Sequence, residues 1–347
     1  GIPYGFATTA MVMFMRLEGL SIEQIGAFVA AVLLPWGFKW AWAPLVDIVR
    51  LTRIGGRKAW IMICTTMMII TLVIMASVDF QQHYQMLLWM VILNNIFCAT
   101  QDVAIDSLAV STLKDDERGT GNGFMFGGQY LGIAMGGGGA IYVSSFAGFN
   151  ASLVYVSAVL VVSLLFVIVF IKDPYVAPAP VARKVSALSH FFAVLGAFIR
   201  NLYEGFMRSG RGPRLGLLFA LMPCAAMALA YAILGTLQVD YGLEQADIAK
   251  ISVLNTIAAG IGCVTGGLLG DRFGIKKMIA GFYLLTTIPT VYLAMQIASV
   301  GLTAIPVEAF FAVIILHGLF YGGSFSLNAA IFMGMTNPLV AATQFTA

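Results

Sequence analysis

Long apolar runs alternate with short polar intervals along most of the chain. Runs of about 20 residues are long enough to cross a bilayer as helices. They fall at roughly 1–16, 25–46, 59–78, 85–110, 121–145, 150–171, 214–238, 247–269, 277–298 and 305–333. The pattern predicts ten spanning helices. The first run, "GIPYGFATTAMVMFM", is apolar from its first residue and reads as a clipped helix with no evident secretory signal peptide. The last residues, "AATQFTA", read as the beginning of another span, so a fragment of a longer protein is expected.

Composition agrees with the runs. Of the 347 residues, 60% are hydrophobic and 10% are charged, against about a quarter charged in a soluble domain. Mean hydropathy is +0.92. The fold class expected is an all-α polytopic membrane protein. Cys64, Cys98, Cys224 and Cys263 lie in separate apolar runs without a C-x-x-C pair, which argues against a zinc site or a disulfide framework.

Charge sidedness orients the spans. Sixteen of the nineteen Lys and Arg residues fall on one side, from Arg50, Arg53, Arg57 and Lys58 through Lys114, Arg118 and Lys172 to Arg272, Lys276 and Lys277. The positive-inside rule makes that side cytoplasmic, so loops 2–3, 4–5, 6–7 and 8–9 face the cytoplasm. The other side receives Arg16 and Lys250, with Glu18, Glu23, Asp79, Asp240, Glu244, Asp247 and Glu308. Only Lys39, Asp102 and Asp106 are left well inside the hydrocarbon. The chain divides into a first bundle, 1–171, a linker, 172–213, and a second bundle, 214–347. The linker opens as a Pro/Ala stretch, "KDPYVAPAPVARK". Leu188, Phe192, Leu195, Phe198, Ile199, Leu202 and Phe206 then recur at helical spacing, as in an amphipathic helix on the inner leaflet. A further span is the alternative.

The bundles carry a repeat. "GLSIEQI" (19–25) and "GLEQADI" (242–248) each precede a helix that ends in aspartate, Asp47 or Asp271. A turn with Gly and basic residues follows both, "DIVRLTRIGGRK" and "DRFGIKK". The offsets are 223 and 224 residues, with six spans between copies. An even number of spans gives parallel repeats about an axis along the membrane normal. Adding 224 to Asp102 and Asp106 gives Ser326 and Ala330, so the buried acids have no counterpart. "ATQ" recurs at 99–101 and 342–344, but the second copy aligns with "DERGTG" (116–121) at the start of helix 5. The match is therefore chance with respect to the repeat, and the chain should stop short of helices 11 and 12.

The second turn fits G-x-x-x-D-R-x-G-x-K-K at Gly267, Asp271, Arg272, Gly274, Lys276 and Lys277. It resembles the loop 2–3 signature of the major facilitator superfamily. "FKWAWAPLVD" (38–47), "ATQDVAID" (99–106) and "DERGTGNG" (116–123) together resemble the AmpG family of muropeptide permeases and the related acetyl-coenzyme A and siderophore transporters. The resemblance implies two six-helix bundles, the second truncated here, working by alternating access. Its implied function is proton-driven import of a cell-wall-derived or similar organic solute. A siderophore or acetyl-coenzyme A carrier, or a non-transporting sensor, is the alternative. Two features depart from the AmpG pattern. Gly128-Gln129-Tyr130-Leu131-Gly132 lacks its arginine, and the helix 7 run 217–234 lacks its lysine and aspartate.

A charge in mid-bilayer costs about 2.5–3.5 kcal/mol on insertion scales, so such residues usually face a partner or a wet cavity. Lys39 lies eight residues before Asp47, and Asp106 eight before Lys114. On straight helices both would lie about 12 Å from the cytoplasmic ends. The depth match suggests a Lys39–Asp106 pair, with Asp102 one turn deeper and unpaired. Proton coupling at Asp102, substrate contact and structural pairing all remain open. Asn95, Gln101, Gln129, Tyr130, His317 and Asn328 are candidate cargo contacts. Trp36, Trp40 and Trp42 read as packing or lipid-facing residues.

The signature residues Asp47, Arg57, Asp271, Arg272, Gly274 and Lys276 are candidates for a conformational switch. Helix 5 carries Gly128, Gly132 and Gly136; helix 8 carries Gly262, Gly266 and Gly270. Small residues permit close backbone approach. By resemblance these glycines form a gate between the bundles; packing within one bundle is the alternative. The three histidines are scattered, with no H-x-x-x-H motif or paired acidic motif, which argues against a membrane enzyme. No cofactor, metal or nucleic acid is expected. The partners expected are a small-molecule substrate, protons and the lipid bilayer, for a monomer in a bacterial inner membrane.

Overall fold

The computed structural model describes residues 1–49, 51, 55–78, 83–173, 187–216, 218–219, 237–238, 240 and 241–346. Expectations for Arg50, Arg53, Asp79, most of the Pro/Ala stretch and most of helix 7 (Cys224 included) lie outside these residues. The described residues are almost wholly helical and include seven helices long and apolar enough to cross a membrane. The chain is a multi-pass integral membrane protein.

The helices, in order, are α1 (Ile2–Gly5), α2 (Met11–Leu17), α3 (Ile22–Phe38), α4 (Ala43–Ile48), α5 (Arg57–Ala76), α6 (Tyr84–Thr112), α7 (Arg118–Ala134), α8 (Ala140–Ala147), α9 (Phe149–Phe170) and α10 (Ala187–Tyr203). After the helix 7 region come α11 (Gln245–Phe273), α12 (Ile275–Val300), α13 (Val307–Met335) and α14 (Ala341–Thr346). Wider π-helical turns, Phe6–Ala10 and Met135–Gly139, join α1 to α2 and α7 to α8. The expected helices 1 and 5 are each built from these pieces.

Helix 2 is broken, and its sequence explains the break. Pro44 has no N–H and clashes with the carbonyl four residues earlier, which disfavours an unbroken helix through 40–44, although α3 and α12 accommodate Pro35 and Pro289 in their interiors. The chain instead makes a 3₁₀ turn, Lys39–Ala41, between α3 and α4. Pro44 then sits in the first turn of α4, where a missing N–H costs nothing. Ser21 starts α3 with a reciprocal capping box to Gln24.

The helices group into two compact units. The first comprises 1–112, 132–208 and 336–347; the second comprises 113–131 and 209–335. These groups cut across the sequence bundles, because α7 is divided at Gly132 and α14 packs with the first group. In the first unit, Phe14, Met68, Leu72, Leu87 and Leu153 form one apolar core. Ala43, Val46, Ile61, Val103, Leu108 and Ala342 form a smaller one. In the second unit, Ile251, Phe310 and Ile314 form one cluster, and Ile279, Phe282 and Leu327 another. Apolar side chains also face outward. On α9, Val162 and Phe170 are 67% and 66% exposed, as lipid-facing residues should be.

A helix also forms in the linker. α10 continues through the turn Glu204–Arg208 and lies against α4 and the 3₁₀ turn Pro338–Val340. Leu195 and Phe198 are half-buried, while Ile199 and Arg200 are exposed.

Candidate functional site

The break in helix 2 places Lys39 beside α6. Its Nζ lies 2.7 Å from Asp102 Oδ2 and donates a hydrogen bond to it. The Lys39–Asp106 pair expected from depth is therefore replaced by Lys39–Asp102. The depth argument assumed a straight helix. A 3₁₀ turn rises about 2.0 Å per residue against about 1.5 Å, and a long flexible stem adds reach. Both effects carry the ammonium toward the deeper acid. The two side chains are 19% and 31% exposed. Asp106, one turn away on α6, is buried and receives no hydrogen bond from a described residue.

Tryptophans fasten the turn on both sides. Trp36 Nε1 donates to Asn95 Oδ1 at 3.5 Å, a long contact, and Trp42 Nε1 donates to Thr100 Oγ1 at 3.1 Å. Lys39 Nζ lies 5.7 Å from the centre of the Trp36 ring. The Tyr4 ring meets Trp36 edge-on at 5.3 Å. Trp36 and Trp42 were expected as packing residues; they also orient the charged turn. Of the three, Trp40 is the exposed one, at 52%.

Several candidate cargo contacts already have protein partners. Asn95 is fully buried and spends its amide on the Val91 carbonyl and the Trp36 indole. Gln101 Nε2 donates to Thr65 Oγ1 at 2.6 Å. Asn328 Nδ2 donates to Tyr283 Oη, and His317 stacks on Tyr321 one turn along α13. Tyr130 packs beside Gly260, and Gln129 is half-buried. Asn255 and Asn328 each leave a buried side-chain oxygen without a partner among the described residues.

The two signature aspartates make matching contacts. Asp47 accepts from the Ala342 and Thr343 amides at 3.1 and 2.9 Å and from the Thr343 hydroxyl at 2.8 Å. Asp271 accepts from the Gly119 and Thr120 amides at 2.8 and 2.6 Å. In each case a carboxylate caps the free amides in the first turn of another helix, α14 or α7. Charge and donors are both complementary there. The partner pairs 119–120 and 342–343 are offset by 223 residues, so the repeat extends to hydrogen bonds. The second "ATQ" is one of these partners. Burial pushes the Asp47 carboxyl above the usual range, opposed by its bonds to Thr343 and Ala342 and by the charge of Arg57. The Arg57 amide donates to Asp173 at 2.6 Å, and its guanidinium to the Pro338 carbonyl at 3.1 Å. Gly274 closes α11 at φ +97°, a conformation that favours glycine. Arg272 and Lys276 are exposed.

The glycine seam lies one register from the one expected. Where α7 and α11 meet, a Cβ on Gly267 would strike the Gly119 carbonyl. One on Gly123 would lie 2.7 Å from the Cys263 carbonyl, and one on Gly127 2.8 Å from Val264. Gly262 and Gly266 instead press on Leu319 and Gly323 of α13, and Gly270 on Leu327. Gly132 and Gly136 press on residues 1–2, and Gly128 faces open space. Thus Gly119, Gly123, Gly127, Gly260 and Gly267 form the helix 5–helix 8 approach, in place of the six glycines expected.

Comparison with known proteins follows the same lines. The anhydromuropeptide permease of Escherichia coli K12 is 24% identical over 354 residues, covering 99% of this chain and 67% of the permease. "Putative transporter AmpG 4" of Rickettsia felis is 24% identical over 285 residues, covering 80% of this chain and 66% of that protein. The chain thus spans about two thirds of the length of these relatives. Among solved structures, a point variant of the E. coli fucose:proton symporter FucP superposes with a TM-score of 0.62 at 12% identity, covering 99% of this chain and 85% of that one. FucP in the outward conformation gives 0.53 at 15% identity, covering 99% and 94%. The Major Facilitator Superfamily profile matches residues 1–206, well over half of the sequence, and the chain belongs to that superfamily.

Proposed function

We propose that the chain is the larger part of a proton-coupled secondary transporter that imports a muropeptide-like solute by alternating access. The observation that carries this reading is the charged cluster within the spans: one ammonium, Lys39, with Asp102 bound to it and Asp106 close behind. Ionisable groups at membrane depth are costly and usually mark ion or substrate pathways. Names given to relatives suggest the cargo, since both the permease and the putative transporters resemble the chain across its spans. In this reading the monomer has two six-helix bundles in a bacterial inner membrane, with the basic loops in the cytoplasm. Asp47 and Asp271 are the switch carboxylates: they hold the first turns of helices 11 and 5 in one conformation and release them in another. Arg57, Arg272, Gly274 and Lys276 shape the turns beside them.

The full-length protein in proteoliposomes with an alkaline lumen should concentrate labelled anhydromuropeptide. Asp102→Asn should leave equilibration but lose gradient-driven accumulation. Uptake indifferent to the gradient, or accumulation unchanged in the variant, would falsify the coupling. Competition by a siderophore but not by muropeptide would point to the other branch of the family.

A further inference from the structure

We propose that the Lys39–Asp102 pair is a carboxylate-exchange site, in which a carboxylate of the cargo takes the place of Asp102 on the Lys39 ammonium. The proposal deepens the transport reading and rests on it. An ammonium offers three N–H donors. Among the described residues, one of Lys39's is filled, by Asp102 Oδ2. Asp102 is the replaceable partner because its side chain is 31% exposed, whereas Asp106 is buried. The ammonium itself is held for exchange. Trp36 and Trp42, which flank Lys39 along the chain, tie the turn that carries it to Asn95 and Thr100 of α6, both on the N-terminal side of Asp102. When Asp102 leaves, Lys39 stays in place.

Charge accounting makes the exchange proton-dependent. The site holds one cation and two carboxylates, and the described residues bring no second cation into ion-pair distance of either acid. A cargo carboxylate beside an ionised Asp102 would put two negative groups on the single Lys39 cation in a poorly hydrated region. That is relieved when Asp102, freed from Lys39, takes a proton from the outer water. The Lys39⁺···⁻O₂C–Asp102 pair becomes Lys39⁺···⁻O₂C–cargo with Asp102 as a neutral acid. Release inward returns the proton and restores the pair. Among the described residues, the other titratable groups around the pair are Asp106 and Cys98 on α6, Cys64 on α5, and the Tyr4 phenol, whose ring meets Trp36 edge-on. The single cation also selects the ligand class. A monoanionic carboxylate matches the group it displaces atom for atom, while a phosphate dianion would bring a charge that Lys39 alone does not balance.

The test is calorimetric binding to the full-length protein in detergent micelles, in buffers of different ionisation enthalpy, so that proton uptake is counted. The probes are a muropeptide, the same muropeptide with its carboxylates converted to amides, and N-acetylalanine at millimolar concentration. The acid forms should bind with uptake of about one proton, and amidation should weaken the muropeptide by about tenfold or more. Asp102→Asn should bind the acids without proton uptake. Lys39→Gln should treat acid and amide alike, which keeps the idea testable if the Asp102 variant misfolds. Acid binding without proton uptake, or equal wild-type affinity for acid and amide, overturns the exchange. So does an acid preference that survives in Lys39→Gln. Binding of N-acetylalanine with proton uptake, but not of muropeptide, would support the exchange and remove the muropeptide reading. Binding of neither acid overturns the exchange.

Discussion

Lys39 balances two acids on one helix face, so its loss should be felt as more than a missing contact. Removing one partner of a buried pair leaves the other charge uncompensated, which costs about 3–5 kcal/mol when burial is complete. Here both members of the ion pair touch open space, and solvent screens part of that cost. Lys39→Gln should therefore destabilise the protein by about 2 kcal/mol in a thermal or denaturant assay. Adding Asp102→Asn to that variant should recover part of the loss, giving a coupling energy of about 1 kcal/mol. Additive effects would mean that Lys39 works chiefly against Asp106.

At the scale of helices, hydropathy and charge sidedness made the spans legible, since a bilayer demands long apolar segments and leaves basic loops inside. Partners across helices were less legible. Pro44 announced a break in helix 2, but the depth match between Lys39 and Asp106 treated that helix as continuous. The partners of Asp47 and Asp271 include backbone amides, which carry no side-chain signal. The repeat could have found them, because "DERGTG" and "AATQ" occupy corresponding positions at helix starts. Glycine spacing showed that helices 5 and 8 permit close approach but not which face is used, since glycines line several faces of each. Substitution distinguishes the faces. Gly267→Val forces a side chain into the backbone of Gly119 and should lower the melting temperature sharply. Gly128→Val meets nothing within 4 Å and should change stability by no more than about 0.5 kcal/mol. Equal melting of the two variants would contradict the seam.

For the whole molecule, the repeat places the same device twice: a carboxylate at the end of one helix caps the first turn of another. Each cap is closed within its own compact unit. Loss of a capping side chain costs about 1 kcal/mol, roughly a fivefold change in an opening equilibrium. Asp47→Ala should therefore speed hydrogen exchange at the Ala342 and Thr343 amides about fivefold, and Asp271→Ala should do the same at Gly119 and Thr120. Asp47→Asn keeps a neutral acceptor and should have a smaller effect. The informative measurement is the distant one. If the caps belong to one alternating-access switch, opening either biases the same two-state equilibrium, and each single variant should also speed exchange at the other site. The double variant should then add less than the sum of the singles. Strictly local effects, additive in the double variant, would leave two independent helix caps and remove Asp47 and Asp271 from the transport cycle.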